Sequence, residues 1–155
     1  MATTSVTPKK GLRGAMLKSI KLYWNERTLK AGDPLALLFG ERKETVRAAK
    51  LVIERMKQTN TLSMTKRELR FFAKELEGGK LGVKYSYHNF YTKLLRKLLD
   101  MGFIEKDVLI WDAKRRKTVA VYQLKLQQIP ERPPQSGFVR QAWQIAKGWN
   151  ELIQS

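Results

Sequence analysis

The sequence predicts an α+β fold that is mainly helical. Apolar residues recur at helical spacing along most of residues 42–101, two segments rich in β-branched and aromatic residues follow at 103–125, and helical spacing returns near the end of the chain. Apolar residues make up 43% of the 155, which is enough to give one domain with appendages a buried core.

The first forty residues are predicted to be appendages. Residues 1–14, rich in small and polar types, form a predicted basic flexible tail. Residues 15–41 form a predicted N-terminal helical extension, with a short helix at residues 16–24. A second helix is expected to begin at Asp33-Pro34, a cap followed by proline, and to stop at Gly40.

Two amphipathic helices are predicted next, the first at about residues 42–58. The second begins after Thr65, because Thr65 followed by Glu68 matches a capping box, and it ends at Gly78-Gly79. A short strand at Thr61–Ser63 is predicted between them.

A third helix is predicted from Tyr87 to about Met101, with Ser86 as its N-cap and Gly102 as its stop. An apolar stripe is expected to hold it to the domain; it comprises Phe90, Leu94, Leu98 and Met101, widened by Tyr91, Leu95 and Leu99. The opposite, polar face carries Asn89, Thr92, Lys93 and Arg96, with His88 and Lys97 on its flanks.

A β-hairpin is predicted after the third helix. The segments "FIEKDVLIW" and "TVAVYQLKL" have strand composition, and the basic turn "DAKRRK" lies between them. The cations at its tip are Lys114, Arg115, Arg116 and Lys117. A solvated charged turn would have the same composition, but four adjacent cations repel one another and a polyanion would relieve that repulsion.

The end of the chain has a different composition. Residues 127–136 contain adjacent prolines and form a predicted Pro-rich linker, and residues 137–155 form a predicted C-terminal amphipathic helix. Its apolar side is expected to form a homodimer, with packing against its own chain as the alternative. The dimerisation residues are Phe138, Ala142, Trp143, Ile145, Trp149 and Ile153.

The charge balance indicates the class of partner. There are 31 Lys and Arg against 14 Asp and Glu, a formal net charge of +17, which favours a polyanionic partner; nucleic acid comes first and an anionic membrane surface second. The chain has no cysteine and one histidine, so neither an enzyme nor a metal or other cofactor is expected. No apolar run is long enough for a membrane span, so a cytoplasmic, nucleoid-associated protein is expected.

Residues 42–126 resemble a winged helix-turn-helix domain, a DNA-binding fold. The matching features are the capped helix "TKRELRFFAKEL", the helix "YHNFYTKLLRKLLDMGFIEK" and the hairpin around "DAKRRK". The link "GGKLGVKYS" is longer than the turn of a compact helix-turn-helix, so either the turn is enlarged or a helix boundary is misplaced. The resemblance implies double-stranded DNA as partner, with helix 87–101 in the major groove and the 112–117 wing on the backbone or in the minor groove.

The DNA-binding residues expected from this resemblance lie at the start of the second helix, before and along the third helix, and on the wing. They are Thr65, Lys66, Arg67, Lys84, Tyr85, Ser86, His88, Asn89, Thr92, Lys93, Arg96, Lys114, Arg115, Arg116 and Lys117. Asn, Arg and Lys can bond base edges, while Tyr85, Ser86 and Thr92 could donate to phosphates beside the helix N-terminus.

A sequence-specific transcriptional regulator is the first functional expectation. The alternative is a replication-initiation, partition or chromatin-like DNA-binding protein of a plasmid, virus or prokaryote. An RNA-binding basic protein is a third possibility. Any amphipathic helix has a polar face, so the total charge and the neighbouring hairpin are what favour nucleic acid over an ordinary solvated surface.

Overall fold

The computed structural model describes residues 21–26 and 32–155, and it packs helices against a small antiparallel sheet. The expected α+β class is confirmed, with about half of the described residues helical. In chain order the elements are α1 (Pro34–Phe39), α2 (Lys43–Lys57), β1 (Ser63–Thr65), α3 (Lys66–Glu77), α4 (Tyr87–Asn89, Phe90–Leu95 and Arg96–Asp100 without a break), β2 (Ile104–Asp112), β3 (Lys117–Leu124) and α5 (Gly137–Gln154).

The sheet has the order β1-β3-β2, with both neighbouring pairs antiparallel. Strands β2 and β3 form the predicted hairpin, and β1 closes the other side by pairing Met64 with Tyr122. The β2–β3 register shifts between Glu105 and Val108, where Asp107 takes a positive φ of 58°. This bulge inserts one extra residue into β2 and bends the hairpin at its base.

The short strand lies two residues later than Thr61–Ser63, where it was expected. Leu62 has a positive φ of 55°, and the amide of Ser63 donates to Oγ1 of Thr59 at 2.9 Å. The chain is therefore still turning at Thr61, and pairing with β3 begins only at Ser63.

The helix expected at residues 16–24 is wrong for its last four residues. Residues 21–24 are not helical. The amide of Tyr23 donates to the carbonyl of Leu37 in α1 at 2.8 Å, not to a carbonyl one helical turn earlier. Residues 16–20 and the basic tail at 1–14 lie outside the described residues.

The predicted helix caps are confirmed where the sequence was most specific. Oδ1 of Asp33 accepts from the amides of Leu35 and Ala36 at 2.9 and 3.3 Å and starts α1. Thr65 and Glu68 form the reciprocal capping box of α3. These bonds satisfy amides that have no partner within a helix.

Helix α4 ends as predicted at Gly102, which has a positive φ of 75°. The amide of Gly102 donates to the carbonyl of Leu99 at 3.0 Å, and the amide of Phe103 donates to the carbonyl of Leu98 at 2.9 Å. These two hydrogen bonds are the pair that defines a Schellman motif. Since α3 and α4 begin and end close to their predicted bounds, the link at 78–86 has its expected length and neither helix boundary is misplaced. Val83 in this link is buried.

The centre of α4 departs from the predicted regular helix. Phe90–Leu95 has π geometry, which widens the turns and changes the angle between successive side chains. The apolar stripe is nonetheless buried at Phe90, Leu94 and Leu98. Spacing rules for an α-helix therefore place the buried residues correctly but do not fix the direction of each polar residue.

Helix α5 packs on its own chain, which was the alternative to dimerisation. Ile145, Trp149 and Ile153 belong to the same buried core as α1–α4, so their prediction as dimerisation residues is wrong. Of the other residues in that set, Ala142 and Trp143 are half-buried, and Phe138 is exposed beside Trp24. A Cβ at Gly148 would overlap the carbonyl oxygen of Gly32, so α5 crosses the chain there at a distance that only glycine allows.

Residues 127–136, which we call the strap, form no helix or strand, but they are fastened to α5. Gln127 and Asn150 exchange two hydrogen bonds of 2.7 and 2.9 Å between the backbone of one and the side-chain amide of the other. The indole N–H of Trp143 donates to the carbonyl of Pro130 at 2.7 Å. The strap is therefore attached to α5 at Gln127 and Pro130 and is not a free spacer.

Candidate nucleic-acid interface

The polar face of α4, defined by Asn89, Thr92, Lys93 and Arg96, is accessible along the helix. Thr92 and Lys93 are exposed, and Asn89 and Arg96 are half-buried. Arg96 pairs with Asp100 one turn later, with 3.6 Å between Nε and Oδ2. Both partners are well solvated, so this pair contributes only ~0–1 kcal/mol and is easily exchanged for another anion.

The N-terminus of α4 is already occupied by the protein's own side chains. Oγ of Ser86 accepts from the amide of Asn89 at 3.1 Å, and Oε2 of Glu77 accepts from the amide of Tyr87 at 3.0 Å. The N-terminus of α4 therefore gives less support to a phosphate than expected, since two of its amides have partners and the Glu77 carboxylate repels an anion. Ser86 keeps its hydroxyl proton for an outside acceptor.

The hydroxyl of Thr92 is also engaged. It donates to the carbonyl of His88 at 2.8 Å, so in this rotamer Thr92 cannot donate to a phosphate as expected. His88 itself is exposed at the first turn of α4.

Lys97 lines a groove together with Lys93 and Arg96 of the polar face, but its ammonium group is bonded to α1. Its Nζ donates to the carbonyl of Leu38 at 2.6 Å and lies 5.3 and 5.6 Å from the ring centroids of Tyr23 and Phe39. Burial lowers the pKa of Lys97 below its usual value, and the nearby charges of Arg42 and Lys21 lower it further.

The hairpin tip is an ordered turn with its cations facing outwards. Oδ1 of Asp112 accepts from the amides of Lys114 and Arg115 at 3.0 and 3.2 Å, and Arg116 takes a positive φ of 55°. All four tip cations, including Lys117, are exposed. Arg115 has one distant ion pair, 3.8 Å from Asp112, and among the described residues the other three have none.

Three residues at the start of α3 that were expected to bind DNA make contacts within the protein. Oγ1 of Thr65 is used in the capping box, and Nζ of Lys66 pairs with Asp107 in the β2 bulge at 3.3 Å. The guanidinium of Arg67 lies over the ring of Phe71 at 5.8 Å. Of these three contacts, only the Lys66–Asp107 ion pair joins α3 to the hairpin, and Lys66 and Arg67 remain exposed.

Tyrosines surround the first turns of α4. Tyr85 accepts from the hydroxyl of Thr45 at 3.4 Å, and Lys84 beside it is exposed. The rings of Tyr87 and Tyr91 lie 5.1 Å apart. Burial, followed by the charge and hydrogen bond of Tyr87, raises the pKa of Tyr91 to about 12.

A groove of about 940 Å³ separates α4 from the base of the hairpin. Thr92 and Arg96 line its α4 side, while Lys106 and Tyr122 line the hairpin side. The fold thus brings the polar face of α4 next to the hairpin whose far end carries the basic tip. Lys106 was missed by the sequence prediction, because a single lysine at the start of a strand carries no signal of its own.

A further set of cations was missed because it comes from distant parts of the chain. Lys21 and Arg42 lie near the other side of α4, where they line a groove with Lys93. Arg70 of α3 is close enough to Tyr91 to act on its pKa. No motif joins these residues in the sequence; only the packing of α2 and α3 on α4 does.

Comparison with known proteins gives no relative from which a function could be carried over. No family model matches the chain, and no curated protein or solved structure matches it significantly. Within residues 21–26 and 32–155, no helix is long and apolar enough to cross a membrane. The same residues contain no cluster of three or more potential metal ligands.

Proposed function

We propose that the protein binds double-stranded DNA through residues 42–126, in the manner of a winged helix-turn-helix domain. The observation that carries this proposal is the position of the polar face of α4 beside the groove at the base of a hairpin with four exposed cations at its tip. The element order α2-β1-α3-α4-β2-β3, with β1 paired to β3, supports it as well. A net charge of +17 supplies the long-range attraction to phosphates.

In this proposal the polar face of α4 lies in the major groove. Asn89 and Arg96 bond base edges, Asn through its amide to adenine and Arg through its guanidinium to guanine. A good bidentate contact contributes ~1–3 kcal/mol of discrimination, which exceeds the ~0–1 kcal/mol of the exposed Arg96–Asp100 pair that it replaces. The Lys66–Asp107 ion pair joins α3 to the hairpin beside α4, and because both side chains are exposed it contributes only ~0–1 kcal/mol.

The hairpin tip contacts the backbone or the minor groove. Its turn is ordered by Asp112, so Lys114, Arg115 and Arg116 are presented without ordering a loop on binding. Preorganisation lowers the entropic cost of association. This contact contributes affinity and salt dependence, and it contributes little base discrimination.

We propose a sequence-specific transcriptional regulator as the role, with replication-initiation, partition or chromatin-like binding as the alternative. A nucleoid-associated location belongs to this proposal. Selection from a random duplex pool at a stated salt concentration tests it. A regulator enriches one sequence that binds ~10³-fold or more tighter than random duplex, whereas an unenriched pool favours a general DNA-coating role.

RNA or single-stranded DNA is the second candidate partner, because large aromatic side chains are exposed on the basic surface. Trp111 of β2 is 64% exposed and Phe71 of α3 is 56% exposed, close to Arg67. Exposed aromatic rings near cations are typical of surfaces that stack on unpaired bases. Competition between duplex DNA, single-stranded DNA and a structured RNA decides between the partners; preference for an unpaired strand that is lost in Trp111→Ala would favour this second candidate.

A further inference from the structure

A second groove, of about 280 Å³, lies between the segment around Tyr23, the start of α2 and α4. Its lining is dominated by cations from three separate parts of the chain: Lys21, Arg42, Lys93, Arg96 and Lys97. Asp100 is the one carboxylate among the described lining residues.

Among the residues that the structure describes, few carboxylates lie near this positive charge. Asp100 is paired with Arg96. In the described part of the chain, no carboxylate lies within ion-pair distance of Lys21, Arg42 or Lys93. The groove therefore gathers like charges that repel one another in the absence of an anion.

Lys97 shows how closely these cations approach one another. Its ammonium group is held over Tyr23 and Phe39 by the carbonyl of Leu38, with Arg42 and Lys21 near enough to disfavour its charge. The Leu38 carbonyl and the two rings stabilise the charged form of Lys97, and the charges of Arg42 and Lys21 oppose it. The packing of Lys97 fixes the wall of the groove, and the remaining cations border its open side.

Two further lining groups suit a phosphate. Arg42 is the N-cap residue of α2, and its guanidinium, which has donors only, cannot cap the free amides there and presents those donors to the groove. The hydroxyl of Tyr85 accepts from Thr45 and keeps its own proton for an outside acceptor. A guanidinium fork and a phenol are donors that phosphate oxygens prefer.

We propose that this groove binds a phosphate group, with Arg42 as the principal charged contact, Lys21 and Lys93 as further cations and Tyr85 as a neutral donor. The phosphate belongs either to the backbone of DNA, which rests on the function proposed above, or to a free polyphosphate. Both sources present the same oxygens, and two measurements on the full chain separate them.

The first measurement titrates inorganic tripolyphosphate into the protein and its Arg42→Gln and Arg132→Gln variants by calorimetry. Arg132 is an exposed strap residue that does not line the groove, so its loss changes net charge equally. Arg42→Gln is expected to weaken binding ~10-fold, as for the loss of one charged hydrogen-bonded contact. Lys21→Gln repeats the test, and thermal melts show which variants are folded.

The second measurement is the salt dependence of duplex binding by the same variants. If the groove holds a backbone phosphate, Arg42→Gln lowers the slope of log affinity against log salt by about 1, and Arg132→Gln leaves it unchanged. An effect on tripolyphosphate alone assigns the groove to a free polyphosphate, and an effect on the duplex slope assigns it to DNA. The proposal is overturned if Arg42→Gln behaves like Arg132→Gln in both measurements.

The two proposals fail separately. If the wild-type protein binds no duplex, the proposed function is contradicted, but the tripolyphosphate titration still tests whether the groove binds phosphate. If both variants bind duplex with the same salt slope, the proposed function stands, and the groove is not a binding site for a DNA phosphate.

Discussion

The indole of Trp149 stacks on the ring of Phe103, with ring centroids 4.4 Å apart and planes inclined by 16°. Phe103 lies between the end of α4 and the start of β2 at Ile104, and its amide closes the Schellman motif. The indole N–H also donates to the carbonyl of Lys125, just past β3, at 2.7 Å. Helix α5 thus supports the junction between the two elements proposed to contact DNA.

Trp149→Ala is expected to lower the free energy of unfolding by ~3–5 kcal/mol, because it opens a cavity in the core and leaves the carbonyl of Lys125 without its donor. Denaturant unfolding followed by circular dichroism measures it. Trp111→Ala is the matched control, since Trp111 is 64% exposed, and it should change the same quantity by well under 1 kcal/mol. Equal losses in the two variants would contradict the placement of α5.

Thr65→Ala should destabilise the fold by ~0.5–2 kcal/mol, because the capping box of α3 loses its hydroxyl acceptor. Thr65→Ser keeps that oxygen and is expected to stay within ~0.5 kcal/mol of the wild type. Thermal and denaturant melts compare the two. Duplex affinity measured on folded samples of both variants also tests the prediction that Thr65 contacts DNA, because only a direct contact weakens binding beyond the change in stability.

Arg96→Ala and Asn89→Ala are expected to relax sequence preference, with ~1–3 kcal/mol lost at the base pair each residue contacts. Binding to the selected duplex and to single-base variants of it measures that loss. If each variant weakens all duplexes equally, α4 contacts only the backbone.

Arg115→Ala and Arg116→Ala are expected to weaken binding to all duplexes and to lower the salt slope by about 1 each. Titrations at several salt concentrations give the slope. Arg140→Ala is the control, since that side chain donates to the carbonyl of Pro134 in the strap, away from the hairpin tip. A change of base preference in the tip variants would contradict the proposed division of roles.

Tyr91 is expected to titrate at about 12, well above the ordinary value of 10.0, because burial and Tyr87 disfavour its anion. In the unfolded chain it loses its proton near 10, so its contribution to stability is complete below pH 10 and is lost as the pH rises to 12. Tyr91→Phe should therefore reduce the fall in unfolding free energy over that range. Ultraviolet titration of the five tyrosines checks the assignment, and simultaneous ionisation of all five near pH 10 would contradict it.

The sequence predicted those elements whose ends are determined by local chemistry. The caps at Asp33 and Thr65 and the stop at Gly102 each satisfy backbone groups within a few residues, so a short window contains the whole cause. The strand predicted at Thr61–Ser63 was misplaced because a left-handed Leu62 extends the turn, a conformation that leucine rarely adopts.

Long-range packing was less predictable. The apolar stripe of α5 was recognised, but a stripe does not say whether it covers its own core or a second copy; the burial of Trp149 decides that. In the candidate site, the cations of the hairpin tip could be predicted because they are four adjacent residues in the sequence. Arg42 and Lys21 do not, because their proximity to α4 depends on helices packing across distant parts of the chain.

The strap has a consequence for how the fold can be divided. Since the strap and α5 bond to each other through Gln127 and Asn150, and α5 buries Ile145 and Trp149 in the core, cleavage within the strap would break a covalent link without removing those contacts. Cleavage after the exposed Glu131 by a glutamyl-specific protease would therefore leave a nicked protein whose two fragments stay associated and co-elute on gel filtration. The chain is accordingly a natural candidate for a split protein, in which a peptide carrying α5 restores a core that is otherwise incomplete.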